Sequence, residues 1–149
     1  MKNNLLICPT DGEQLNESNV RMVAFLVFLT SLAYLLTGWF GLPLLLTVDF
    51  SLRGFNRTRY SPLGRLADVL VRILRFPFRA TNAAPKRFAA GIGLGFTIGI
   101  STLHGLGYAT TIPTVVLAVF AALESLAGFC AGCYVYTFYV RLGNKLAVR

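Results

Sequence analysis

The sequence predicts an all-α polytopic membrane protein of four transmembrane helices, paired as two duplicated helical hairpins and joined by a cytoplasmic amphipathic helix. Three observations predict it. The 149 residues are 55% apolar and 13% charged, whereas a soluble domain carries about a quarter of its residues as Asp, Glu, Lys or Arg. Charge is absent from Met22 to Val48 (27 residues), from Phe88 to Leu123 (36) and from Ser125 to Val140 (16). About 20 apolar residues are enough to cross about 30 Å of hydrocarbon, while a buried helix of a soluble core needs only about 10–14. Third, the 14 Lys and Arg residues are clustered, nine of them between Arg53 and Arg87 beside a single acid, Asp68.

The length allows one membrane domain, residues 1–149. Residues 1–17 read as a polar arm, with Cys8 followed by the turn signal Pro9-Thr10-Asp11-Gly12. The apolar patch Leu5 to Cys8 is too short for the core of a cleavable signal, so the internal spans are expected to direct insertion. The first hairpin covers 18–55. Its first span runs to about Thr37, and Gly38-Trp39-Phe40-Gly41-Leu42-Pro43 breaks it, because two Gly and a Pro disfavour a continuous helix. A second, shorter span follows from about Pro43 to Phe55. Arg21 and Arg53 bracket this region tightly, so one long kinked helix is the alternative to two short ones.

Residues 56–87 form a basic interfacial segment. Ser61-Pro62 is a helix start, with Ser as cap and Pro at the first helical position. Arg65, Asp68, Arg72, Arg75 and Arg79 recur at three- and four-residue steps and define a polar stripe, opposite Leu66, Val69, Leu70, Ile73 and Leu74. This is the pattern of an amphipathic helix lying on a membrane surface with anionic headgroups, ended near Phe76-Pro77. Nucleic acid is not the expected partner of a basic stripe between membrane spans. The second hairpin covers 88–140: one span from Phe88 to Leu103, a turn at His104-Gly105-Leu106-Gly107, and a long span from Ile112 to Tyr139. Residues 141–149 are a basic tail.

Basic residues in short loops place the 56–87 segment and the tail in the cytoplasm, because positively charged flanks resist translocation. Both termini are then cytoplasmic. The halves also echo each other. Asn16 and Arg21 match Asn82 and Arg87 in spacing, and Ser51-Leu52-Arg53-Gly54-Phe55 matches Ser125-Leu126-Ala127-Gly128-Phe129. Parallel duplication of this kind is familiar in transporters and supports topology more than activity.

Five motifs in order carry a wider resemblance: Cys8-Pro9-Thr10-Asp11-Gly12-Glu13, Asp49 through Phe55, Arg59-Tyr60-Ser61-Pro62-Leu63, Ala84-Pro85-Lys86-Arg87-Phe88-Ala89, and Phe129-Cys130-Ala131-Gly132-Cys133. Through them the chain resembles the bacterial membrane protein family catalogued as domain of unknown function 4395. The resemblance implies a multi-pass protein of a bacterial inner membrane and no particular reaction.

Two sets of residues can carry chemistry. Cys130 and Cys133 form a Cys-x-x-Cys pair, which on a continuous fourth span lies toward the helix C-terminus, where the dipole disfavours a thiolate unless Arg21, Arg53 or Arg141 is close. With Cys8 as a third thiol, the pair is a candidate redox or sulfur relay at the cytoplasmic face, for which a thioredoxin- or rhodanese-like partner would fit. The alternative is that both are small packing residues. Three thiols lack a fourth ligand, and His104, the single His, is expected at the opposite turn against headgroups or water. Neither a metal site nor a cofactor is therefore expected. The second set is Asp49 and Glu124, acids inside the spans, whose burial is expensive. Asp49 can pair with Arg53 one turn on, while Glu124 needs a basic partner from the other repeat, such as Arg53 or Arg21. Otherwise the two acids would serve a small carrier or channel, assembled as a homo-oligomer because four short helices enclose little space. A membrane scaffold acting through the basic helix is the third reading.

Overall fold

The computed structural model describes residues 14–128 and 130–147. Cys8, with the rest of the arm through Glu13, lies outside these residues. Among them the chain forms six α-helices and one short sheet: β1 (Gln14–Asn16), α1 (Glu17–Thr37), α2 (Gly41–Gly54), α3 (Pro62–Ile73), β2 (Ala80–Asn82), α4 (Ala83–Gly105), α5 (Thr111–Ala127) and α6 (Ala131–Ala147). The helical class holds, with the addition of a two-stranded antiparallel pairing that sets Gln14 against Asn82 and Asn16 against Ala80.

Local chemistry explains the element boundaries. Asn16 caps α1 by accepting from the Ser18 N–H, and Gly38 ends it in the left-handed conformation (φ 67°) with its N–H on the Tyr34 carbonyl. Three residues later α2 starts, and it runs back alongside α1. Arg53 near the end of α2 and Asn16 at the start of α1 border the same cavity, so the first half is a hairpin of two helices and not one kinked rod. Two helices, Glu17–Thr37 and the Lys86–Gly105 part of α4, are long and apolar enough to cross a membrane; α5 is a shorter apolar helix.

The second half departs from expectation at one place. The long span 112–139 is divided: α5 ends at Ala127, Gly128 adopts φ 65° with its N–H on the Glu124 carbonyl, and α6 starts anew at Ala131. α6 then carries on through most of the basic tail. A glycine in the left-handed region ends a helix without the steric penalty that a side chain would bring, and hydropathy alone does not register that break.

The order β–α–α–α therefore occurs twice, as β1-α1-α2-α3 and β2-α4-α5-α6. The repeats exchange partners: α1 packs chiefly on α5, and α4 on α2, while α3 and α6 lie against α1 and α4. The core between them is built from Val23, Val27 and Tyr34 of α1, Leu46 and Phe50 of α2, Ile100 of α4 and Leu117 and Ala121 of α5. Small residues permit the close approach. A Cβ on Gly93 would stand 2.5 Å from the Phe50 ring, and one on Gly132 would stand 2.5 Å from the Ala89 Cβ. Gly93→Val is accordingly expected to cost about 1–3 kcal/mol by overpacking, read as a lower unfolding temperature in detergent. Gly95→Ala, where the added carbon meets open space, should be neutral or slightly stabilising; equal behaviour of the two variants would refute the packing account.

α3 corrects the basic stripe. The helix stops at Ile73, Arg75 takes a left-handed conformation (φ 52°) and Arg79 lies in the extended approach to β2. Arg65 and Arg72 share the exposed polar side of α3, but Arg75 and Arg79 do not continue it. Proline at position 77, together with the turn at Arg75, ends the helical spacing before the arginines do. Leu63, Ala67 and Val71 are buried, on a helix whose main packing partner is α1. Leu66, Val69, Ile73 and Leu74, expected to oppose the stripe, are exposed.

Candidate functional site at the basic end of the bundle

α1 and α4 both begin, and α2 and α5 both finish, at the end of the bundle where β1 meets β2. Arg21, Arg53, Lys86 and Glu124 are consequently collected there, although 103 positions separate Arg21 from Glu124.

Asp49 lies fully buried one turn before the end of α2. Its Oδ1 accepts from the Ser61 hydroxyl and from the Leu63 N–H at 3.0 Å, while the Arg53 guanidinium stands 3.7 Å from Oδ2. The expected Asp49–Arg53 pair is present, but the carboxylate also holds the start of α3. Ser61 in turn accepts from the Gly64 N–H at 2.9 Å, so two side chains cap one helix start. A Ser-Pro start is legible in sequence; the acid twelve positions earlier that completes it is not.

Glu124 has a partner that spacing did not suggest. Its Oε1 is 2.9 Å from Lys86 Nζ, and the two side chains are only 21% and 14% exposed. Arg21, expected as a candidate for that role, instead pairs with Glu17 on its own helix at 2.8 Å. The guanidinium of Arg21 also rests where a Cβ of Gly128 would be, against the last turn of α5, whose carbonyls favour a cation. A charged residue in the opening turn of the third span was the available signal for Lys86. Reading the span as starting at Phe88 left it in the loop.

The Cys-x-x-Cys motif changes its setting because the fourth span is broken. Cys130 immediately precedes α6, its carbonyl accepting the first helical hydrogen bond from the Tyr134 N–H at 3.3 Å, and Cys133 is the third residue of the helix. The motif therefore opens a helix, where the dipole favours a thiolate, in place of closing one. Cys130 is 5% exposed. It lines a cavity of about 190 Å³ together with Arg53, Lys86 and Glu124, walled by Val27, Phe50, Phe96 and Leu117. The exposed residues at its rim, Ile92, Phe120 and Val135, are all apolar. The side chain of Cys133 lies outside the described residues. Among those described, no group of three His, Cys, Asp or Glu side chains is arranged to hold a metal ion.

His104 is not a bare turn residue. Its Nδ1 is 2.7 Å from the hydroxyl of Tyr34, which also lies 2.9 Å from Thr110 Oγ1, and the Phe40 ring stacks on the imidazole at 5.1 Å. These contacts join the two turns at the uncharged end of the bundle.

A family model described as a domain of unknown function, DUF4395, matches residues 15–141. The chain belongs to the DUF4395 family. The match runs from β1 to the Arg141 turn of α6, so the DUF4395 domain takes in the cavity lined by Cys130 and nearly all of both β–α–α–α repeats, the last turns of α6 lying beyond it. No curated protein and no solved structure matches the chain.

Proposed function

We propose that this DUF4395 protein is a four-span protein of the bacterial inner membrane, with both termini cytoplasmic, that exchanges thiols and disulfides at its cytoplasmic face through Cys130 and Cys133. Support for the four spans comes from the outer surface. α1 and α5 expose Phe25, Leu29, Leu36, Val119 and Leu123, and α2 exposes Leu44, Leu45 and Val48. An apolar surface of that extent on a small domain suits lipid contact. α2 has 14 residues and α5 has 17, about 21 and 25 Å at 1.5 Å per residue, lengths that tilt and local thinning of the bilayer accommodate. The turns at 38–40 and 105–110 carry no Lys or Arg, while the opposite end carries Arg21, Arg53, Lys86 and Arg87. That asymmetry favours a cytoplasmic basic end.

One observation carries the thiol chemistry: Cys130 stands at a helix start, in a cavity that it shares with Arg53 and the Lys86–Glu124 pair. Cations and a helix N-terminus both stabilise a thiolate relative to the thiol. The exchange is written with a partner of thioredoxin type that supplies a disulfide. The Cys130 thiolate attacks one sulfur of that disulfide, and the partner's other sulfur leaves as a thiolate and takes up a proton. The Cys133 thiolate then attacks the Cys130 sulfur and expels the partner's second thiolate. The partner gains two electrons and two protons, and the pair on this chain becomes a disulfide. Cys130 lies outside the helical run itself, so its backbone can adjust toward the Cβ separation of about 3.8 Å that a disulfide requires.

The test is oxidation of intact membranes with a soluble disulfide, followed by denaturation and maleimide labelling. The wild type and Cys8→Ser are expected to lose two labels after oxidation, and Cys130→Ser none. Full labelling of oxidised wild type would remove the proposal.

A further inference from the structure

The cavity that Cys130 lines has its mouth on the side of the bundle. Three helices each give the rim one exposed apolar residue: Ile92 of α4, Phe120 of α5 and Val135 of α6. The outer surface beside that mouth is apolar as well, with Ile98 on α4, Val119 on α5 and Phe138 on α6 all exposed. In the four-span reading this surface meets lipid, so a route to Cys130 runs from the bilayer. The volume then selects among lipid-soluble molecules. At about 190 Å³, the space exceeds the apolar cavity of about 150 Å³ that holds benzene in an engineered protein. It takes one substituted six-membered ring, and any longer tail has to leave through the mouth.

We infer that a second substrate of the Cys130–Cys133 pair is a lipid-soluble quinone, with its ring in this cavity and its tail in the bilayer. The inference rests on the thiol reading above and adds an electron acceptor to it. A dithiol that closes to a disulfide gives up two electrons and two protons, and quinones are the ring compounds that take up both. Phe50, Phe96 and Phe120 line the space and offer the ring aromatic faces and edges to pack on. The step balances within the site. The Cys130 thiolate bonds to a ring carbon, and the displaced electron pair moves onto one carbonyl oxygen, which takes a proton. The Cys133 thiolate then attacks the Cys130 sulfur, and the S–S bond forms as the S–C bond breaks. The electron pair of that S–C bond returns to the ring, and the second oxygen takes a proton. Both protons are those of the original thiols, and the products are one disulfide and one hydroquinone. Lys86 and Glu124 remain paired at 2.9 Å, and the step needs no free charge from either. The disulfide passes to a partner dithiol by the reverse of the exchange written above.

The full chain is reduced in phosphatidylcholine nanodiscs without oxygen and mixed with decylubiquinone, whose fully substituted ring does not keep a thiol adduct. Acid quenching, denaturation and maleimide labelling count the thiols, and ultraviolet absorbance counts the quinol. The wild type is expected to lose two labels for each quinol formed, and Cys130→Ser to lose none and form none. Val135→Trp and Phe120→Trp crowd the mouth from two different helices. Each should lower the rate with decylubiquinone, relative to that with a soluble disulfide, by about tenfold or more, because the ring is displaced from the reacting sulfur. Val119→Trp, exposed on α5 and outside the cavity, is the matched control and should keep the wild-type ratio. Oxidation by the soluble disulfide without oxidation by the quinone would overturn the inference and leave the thiol reading standing; oxidation by neither would remove both. An unchanged ratio in both rim variants, or an equal fall in Val119→Trp, would also overturn it.

Discussion

Asp49→Ala is expected to lower the stability of the protein by about 3–5 kcal/mol, the range seen when one partner of a buried ion pair is removed. Three groups lose their acceptor together. The Ser61 hydroxyl and the Leu63 N–H are left without the Oδ1 atom that fixes the start of α3, and Arg53 loses the carboxylate 3.7 Å away. Because α3 packs on α1 and Arg53 lines the cavity shared with Cys130, the damage should extend from the cap to the candidate site. Unfolding in detergent measures the loss. Asp49→Asn keeps an acceptor for the cap and gives up only the charge, so it should fall about midway, in line with the worth of a hydrogen bond to a charged group. Wild-type stability in Asp49→Ala would mean that the acid is not structural, and the carrier reading of Asp49 would then regain its place.

The second large effect is expected at Lys86 and Glu124. Lys86→Met and Glu124→Leu each strand a mostly buried charge and should each cost about 3 kcal/mol or more. The double variant replaces the pair with apolar side chains and is expected to recover most of that loss, since a buried ion pair often contributes little over a hydrophobic replacement. A double-mutant cycle in unfolding free energy reads the coupling directly. Strictly additive losses would show that the 2.9 Å contact does not join α4 to α5 energetically. The pair lines the same cavity as Cys130, so the rate of maleimide labelling at Cys130 should fall in Lys86→Met if the lysine favours the thiolate, and Glu124→Leu should raise it.

Much of the architecture was legible because its causes are local. Uncharged runs identify the apolar helices, Asn16 and Ser61 mark helix starts, and Gly38 marks a stop. The repeat was visible in Asn16 and Asn82, which prove to end the two strands that pair at the base of the bundle. The stop at Gly128 was less legible, because the sequence around it stays apolar and Gly is also common inside membrane helices. That one omission put Cys130 and Cys133 at the wrong end of a dipole. The charges of Arg141 and Lys145, in turn, set the 141–149 tail apart as a separate segment, where α6 in fact continues through Ala147.

Partner choice was not legible. Glu124 and Lys86 are 38 positions apart, Asp49 and Leu63 are 14, and Asn19 and Asp68 are 49; nothing in residue spacing selects these pairs over others. Spacing does select partners within a helix, and there it succeeded: Asp49 with Arg53 is the pair expected one turn apart.

The sequence by itself determined where this chain is apolar, where α1 and α3 start, that its pattern occurs twice, and to which family its motifs point. Only the tertiary structure decided that α1 crosses to α5 and α4 to α2, which brings Arg53, Lys86, Glu124 and Cys130 around one cavity. The physical reason is a difference in range: solvation, capping and backbone sterics act over a few residues, whereas the packing of Gly93 under Phe50 and of Gly132 on Ala89 acts between segments that only folding makes neighbours.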